Sequence, residues 1–134
     1  MPSWAVPMAV ATGAAVASPG RRVLNLQADG SAMYTIQSLW TQVREGLDIT
    51  TVILNNQSYA ILNMELTRVG ANPGPKALEM LDLTNPTMDF VSIAQGMGVP
   101  ATRATTAEEF TEQLERALAT PGPNLVEAIL PPTL

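Results

Sequence analysis

The chain contains no cysteine and no histidine. Those two absences remove thiol nucleophiles, disulfide staples, Cys/His zinc sites and imidazole acid–base chemistry together, so a metal held here must be held by oxygen. Charge is also scarce: charged residues form 14% of the chain and sum to −5, which leaves no basic footprint for a nucleic-acid backbone. A phosphate-bearing ligand then needs a localised site or a metal. Long uninterrupted apolar runs are missing as well, since the most apolar stretch, AVPMAVATGAAVASP at positions 5–19, is broken by Pro7 and Gly13. No membrane span is expected. With no Lys or Arg ahead of it, that stretch reads as a small-residue helix packed closely on a sheet rather than as a secretion signal, and the chain reads as cytoplasmic.

What is present is a chain of 134 residues, 46% of them hydrophobic, suited to one compact domain over 1–134. So few charges on so apolar a chain imply elements buried on both faces or surfaces covered by another copy, and a homo-oligomer is expected. RRVLNLQA (21–28) reads as a strand bounded by SPG and DG. From Ser31 the apolar spacing turns helical to about Glu45, with Gly46 as the stop and Trp40 on the core-facing stripe. ITTVIL (49–54) is β-branched and apolar, as a parallel strand covered on both faces should be. A second helix is expected from about Tyr59 to Val69. Residues 70–87 then hold too much Pro, Gly and Asn for one regular element.

A short helix over 88–98, a weak strand in VPATRAT and a helix in TTAEEFTEQLERAL follow. In the last of these, Thr105 and Glu108 fit a capping box, and Phe110, Leu114 and Leu118 form an apolar stripe with Ala117 beside it. NLVEAIL (124–130) is the final strand. Alternating strands and helices imply an α/β fold: a parallel sheet with helices on both faces.

In open parallel sheets, ligands bind beyond the carboxyl ends of the strands. Asp29 and Gly30 follow one such end; Asn55, Asn56, Gln57 and Ser58 follow the next. A hard divalent cation such as Mg²⁺ takes about six oxygens from carboxylates, amide or backbone carbonyls, water and phosphate. Asp29 can supply the carboxylate and Asn56 the amide oxygen. Gly30 lets backbone approach a ligand, and Ser31 opens a helix whose free N–H groups favour phosphate. Each junction is also ordinary turn and cap chemistry, and only their pairing points to a site.

Asp29-Gly30-Ser31 and Asn55-Asn56, with Asn56 standing 27 positions after Asp29, resemble the thiamine-diphosphate motif that ends in a double asparagine. The text LQADGSAMYTIQSLWTQVREGLDITTVILNNQSYAIL is similar to the C-terminal cofactor domain of acetolactate-synthase-like enzymes, a group that includes benzoylformate-decarboxylase-like and related 2-oxoacid decarboxylases and carboligases. Resemblance extends from about Thr12 to Pro131.

It implies the thiamine-diphosphate-binding fold, truncated at its N-terminus, with thiamine diphosphate and Mg as cofactors. The metal ligands it implies are Asp29, the Asn56 side chain and the Ser58 main-chain oxygen. Gly30 and Ser31 would lie against the diphosphate, and Tyr59, Ile61 and Leu62 would stand where such enzymes build part of the active-site wall or simply pack. Met33 and Tyr34 are placed either near the cofactor or in the core. Two departures stand out: Ala28 occupies the position of the motif's first glycine, and MPSWAVPM does not match the family's glycine-rich segment, leaving Ala5 to Met8 to replace it. The family binds the aminopyrimidine on a separate domain whose glutamate activates the cofactor. No such domain fits here, so the resemblance implies a pyrimidine-binding partner domain or subunit and no catalytic residue in this chain. A non-catalytic module with the same fold is the alternative. A phosphate-loop nucleotide binder is disfavoured, because neither Gly-x-Gly-x-x-Gly nor Gly-Lys-Ser/Thr occurs.

Overall fold

The computed structural model describes residues 7–132; Ala5 and Val6, expected to help cradle a cofactor, lie outside them. Four strands, β1 (Val23–Ala28), β2 (Ile49–Asn55), β3 (Ala101–Ala104) and β4 (Asn124–Ile129), form one parallel sheet in the order β1-β2-β4-β3. The two central strands are buried almost throughout, which is why their sequences run apolar instead of alternating. Helix α1 (Pro7–Ala17) packs on β1 and β2, while α6 (Phe90–Gly96) and α7 (Ala107–Ala119) both pack on β3 and β4. The main core joins Met8, Ile53, Phe90, Ala94 and Leu125. Small residues in α1 have the expected use: Ala11 and Ala15 press against Ile49 on the sheet.

Edge strand β1 carries its pattern inverted. Asn25 and Gln27 face α1 and are buried, whereas Leu24 and Leu26 point the other way and are 49% and 60% exposed. Together with half-exposed Leu54 they leave an apolar strip of sheet uncovered.

The helix expected over 31–45 is two pieces. Residues Asp29–Ala32 form α2 and Ser38–Arg44 form α3, joined by tight turns in which Tyr34, Thr35 and Ser38 donate to the carbonyl three residues back. β-Branched Thr35 and Ile36 crowd a regular helical turn, which favours the tighter form. The break also shifts the buried stripe to Ala32, Ile36 and Leu39, so Trp40 is exposed rather than core, with the Arg44 guanidinium 5.3 Å from its ring centroid. The α7 cap sits one residue later than expected. Thr106 accepts from Glu109 N, and the Glu109 carboxylate returns to the N–H and hydroxyl of Thr105. Of the expected stripe on α7, Ala117 is buried, Phe110 and Leu114 are half-buried and Leu118 is exposed.

Helix α4 (Ala60–Arg68) buries none of its residues, and the irregular 70–87 stretch contains one short helix, α5 (Pro75–Glu79). Nothing in 70–87 is buried. Amide exchange in the free chain should therefore be fastest, among internal segments, through 70–87. Uniform slow exchange there would contradict this.

Arg22 locks the far end of the fold. Its guanidinium donates to Asp48 Oδ1 at 2.6 Å and to the terminal carbonyls of α7 at Ala117, Leu118 and Thr120, satisfying acceptors that the helix leaves open. Replacing Arg22 with Ala should lower unfolding free energy by about 2 kcal/mol in a urea titration, since hydrogen bonds to charged groups contribute about 1.5–3 kcal/mol. An unchanged midpoint would show that the clamp is idle.

Candidate metal and diphosphate site

Parallel pairing sets Ala28 beside Leu54, so the chain leaves β1 at Asp29 and β2 at Asn55-Asn56 side by side on the carboxyl edge of the sheet. Helix α2 begins at Asp29 itself, and Ser31 is its third residue rather than its opener. Asp29 is only 2% exposed. Its Oδ1 accepts from Gly30 N and its Oδ2 from Gln57 N, both at 2.7 Å. The second bond crosses from one strand end to the other. Burial raises the Asp29 pKa above its ordinary 3.8, with the amide bonds from Gly30, Gln57 and Asn56 opposing that rise. Asp29 joins no ion pair among the described residues, so its negative charge is met by amides alone.

The loop after β2 is held residue by residue. Gln57 adopts φ 58°, a left-handed conformation uncommon outside glycine, and its N–H is shared with Asn55 Oδ1 at 3.1 Å. Asn56 Oδ1 accepts from Ser58 N at 3.1 Å, an Asx turn that fixes the orientation of the amide. Ser58 is pinned from outside: Tyr59 N donates to Leu81 O and Leu83 N to Gln57 O, both at 2.9 Å, making a short antiparallel bridge to the 81–83 segment. The Ser58 hydroxyl donates to Leu81 O and accepts from Asn63.

The remaining expected residues divide. Gly30 is buried directly under Tyr59: a Cβ placed on it would run into the ring. The space that a side chain would take is thus used by Tyr59, which brings Tyr59 to the site. Ser31 donates its hydroxyl to Ala28 O at 3.1 Å and accepts from Gln27 Nε2, so its side chain serves the turn. Met33 and Tyr34 are exposed, not core, and Ile61 and Leu62 are exposed as well.

Residue-by-residue reading of the sequence left Gln57 without a role, though its N–H is the hub of the loop. A signal for this was available: the second residue after a strand-end Asn sits where an Asx turn closes. It also missed Glu127, one acid inside an apolar strand, a pattern that demands a buried partner.

The donor chemistry fits a hard divalent cation. A buried carboxylate without a cationic partner, an adjacent amide oxygen on Asn56 and the main-chain carbonyl of Ser58 are oxygen ligands of the kind Mg²⁺ takes, with diphosphate oxygens and water completing the shell. Three Asp/Glu side chains do not converge here or elsewhere among the described residues, so an all-carboxylate cage is not the arrangement.

Residues 3–128 match the family described as thiamine pyrophosphate enzyme, C-terminal TPP binding domain. The chain is 61% identical over 130 residues to the Mycobacterium tuberculosis protein named "Putative acetolactate synthase large subunit IlvX", covering 96% of this chain and 25% of that one. Benzoylformate decarboxylase of Pseudomonas aeruginosa is 38% identical over 119 residues, covering 87% and 21%. Among solved structures, the thiamine diphosphate-dependent 4-hydroxybenzoylformate decarboxylase of Rhodococcus jostii RHA1 superposes with a TM-score of 0.83 at 37% identity, over 93% of this chain and 23% of that one. The chain thus spans about a quarter of the length of these relatives. With the match running through both strand ends that frame Asp29 and Asn56, the chain belongs to the C-terminal TPP-binding domain family of thiamine pyrophosphate enzymes.

Proposed function

We propose that this chain is the metal-and-diphosphate half of a thiamine-diphosphate-dependent, acetolactate-synthase-like 2-oxoacid decarboxylase or carboligase. The observation that carries the proposal is the buried Asp29 carboxylate, bonded across the strand ends to Gln57 N beside Asn56, with no cationic side chain paired to it among the described residues. In this reading Asp29, the Asn56 side chain and the Ser58 carbonyl hold Mg²⁺. Gly30 and Ser31 lie against the diphosphate, and Tyr59 walls the site.

Bound thiamine diphosphate supplies the carbanion chemistry of 2-oxoacid conversion. The chain's own residues would orient and neutralise: Asp29, the Asn56 side chain and the Ser58 carbonyl would hold the metal, on a loop shaped by the left-handed Gln57. An aminopyrimidine-binding domain with its activating glutamate would come from a further domain or subunit; in support, the one buried glutamate among the described residues, Glu127, is committed to Asn55 and Arg103. The uncovered strip of Leu24, Leu26 and Leu54 supports association with a further copy or domain. Among the described residues no helix is long and apolar enough to cross a membrane.

Calorimetry with thiamine diphosphate, with and without Mg²⁺, tests the metal assignment. Asp29→Ala and Asn56→Ala should both remove Mg²⁺-dependent binding while leaving the melting transition cooperative. Binding indifferent to EDTA, or equal in both variants and the parent chain, would sink it.

The pH dependence has a defined sign. A protonated carboxyl cannot ligate, and Asp29 titrates above 3.8, so Mg²⁺ affinity should begin to fall at a higher pH than an ordinary Asp would impose. The same raised pKa makes the metal-free fold gain from Asp29 protonation at low pH and lose that contribution as pH rises through the Asp29 value. Carboxyl-detected NMR should place Asp29 above 3.8 and both Asp82 and Asp89, each bonded to hydroxyl and backbone donors, below it. The reverse order would contradict the burial argument.

Activity supplies the third check. Oriented reacting groups contribute about 7–11 kcal/mol to such reactions, and each 1.36 kcal/mol or so is tenfold in rate. The chain alone should therefore consume pyruvate or benzoylformate no faster than free cofactor with Mg²⁺, and gain turnover when a pyrimidine-binding domain is added in trans. Turnover well above the blank that disappears in Asp29→Ala would overturn the need for a partner. Failure to bind the cofactor at all would favour a non-catalytic module.

A further inference from the structure

We infer that Glu127 is a positioning residue for the metal loop and acts through Asn55; the inference deepens the metal-and-diphosphate reading and rests on it for its functional consequence. Glu127 lies fully buried in strand β4 among Leu125, Val126, Ala128 and Ile129, where an unpaired carboxylate would be strongly unfavourable. Both of its oxygens are used. Oε1 accepts from Asn55 Nδ2 and Oε2 from Arg103 Nε, each at 2.7 Å. Arg103 reaches on to Asp89 Oδ1 at 2.7 Å, and that carboxylate caps α6 through Ser92 N. The chain of bonds runs from α6 through β3 and β4 to the end of β2.

Its direction is forced by donor and acceptor identity. Arginine only donates and an ionised carboxylate only accepts, so Asn55 must turn its Nδ2 toward Glu127. That leaves Asn55 Oδ1 facing the loop, where it accepts from Gln57 N at 3.1 Å. The same N–H donates to Asp29 Oδ2 at 2.7 Å. Gln57 holds its left-handed φ of 58° only because its surroundings over-determine it, and this shared N–H is one of the constraints. With the Asn55 amide reversed, Nδ2 would oppose Gln57 N–H, donor against donor, and the loop would lose its grip on the Asp29 carboxylate. Glu127 therefore sets which way round the Asn55 amide sits, and through it the placement of the ligand loop.

The competing reading is that Glu127 and Arg103 merely tie β4, β3 and α6 together. Glu127→Gln in the whole chain separates the two. Glutamine offers one acceptor and one donor where two acceptors are needed, and because Arg103 cannot switch, the Asn55 amide must turn over. Expected results are a fall of about 10–100-fold in Mg²⁺ affinity measured with thiamine diphosphate present, the range for residues that orient metal ligands, and at least about tenfold faster Gln57 amide exchange without Mg²⁺. Amides of α7 should not change. Asn55→Ser should reproduce both effects, and Glu127→Gln added to Asn55→Ser should cost little more Mg²⁺ affinity, because the two residues act in series.

Additive losses in the double variant, or unaltered Gln57 exchange in Asn55→Ser, would overturn the inference in favour of a purely structural tie. If Glu127→Gln does not fold, Gln57 exchange in Asn55→Ser decides alone: faster exchange upholds the positioning path and unchanged exchange ends it. A parent chain that binds neither Mg²⁺ nor thiamine diphosphate would defeat the functional reading, while the Gln57 exchange in the metal-free chain would still decide the positioning role.

Discussion

A buried carboxylate held by two backbone amides, Asp29, is the constraint around which the carboxyl edge of the sheet is arranged. Moving a carboxylate out of water costs several kcal/mol even after relaxation. Amide bonds to a charged acceptor return about 1.5–3 kcal/mol each. Burial raises the Asp29 pKa despite those amides. A divalent cation would supply the missing positive charge.

Holding that carboxylate requires the neighbouring loop to place an N–H at one point, and the rest of the site follows from that demand. Gln57 adopts a left-handed backbone without being glycine. Asn55 and Asn56 each turn an amide oxygen back onto the loop, and the 81–83 segment pins Ser58 and Tyr59 from the far side. Gly30 is flush beneath Tyr59, so the first strand end and the second are joined by packing as well as by a hydrogen bond. The Asn55–Glu127–Arg103–Asp89 chain then transmits the order of the sheet interior to the loop. By contrast, α4 buries no residue and the 70–87 stretch none, so burial falls away within a few residues of the site.

Much of the fold is legible in the sequence. The β-branched run in β2 and the apolar run in β4 belong to strands covered on both faces, and a parallel sheet follows from the helices between them. The nearness of Asp29 and Asn56 was legible because both follow the ends of strands that a parallel sheet sets side by side. Trp40 was misplaced because helical periodicity was continued through 33–37, where tight turns change the phase. The α7 cap was misplaced by one position because Thr105 and Thr106 offer the same hydroxyl, and only backbone geometry distinguishes them. The strand reading of RRVLNLQA did not show that Leu24 and Leu26 occupy the face of β1 that no described element covers.

The sequence by itself determined the α/β class, the parallel order of alternation and the residue types that can hold a cation at the strand ends, because those depend on local periodicity and donor chemistry. Tertiary structure alone decided how those residues cooperate. Glu127 and Asn55 are 72 positions apart in the chain, and only the β2–β4 pairing places one carboxylate oxygen 2.7 Å from the asparagine amide. Likewise the bond from Gln57 to Asp29 spans 28 positions and exists because β1 and β2 run side by side in register. Hydrogen bonds reach about 3 Å and fail beyond it, so which distant groups meet at that range is settled by strand register, a property of the assembled sheet rather than of any local stretch of chain.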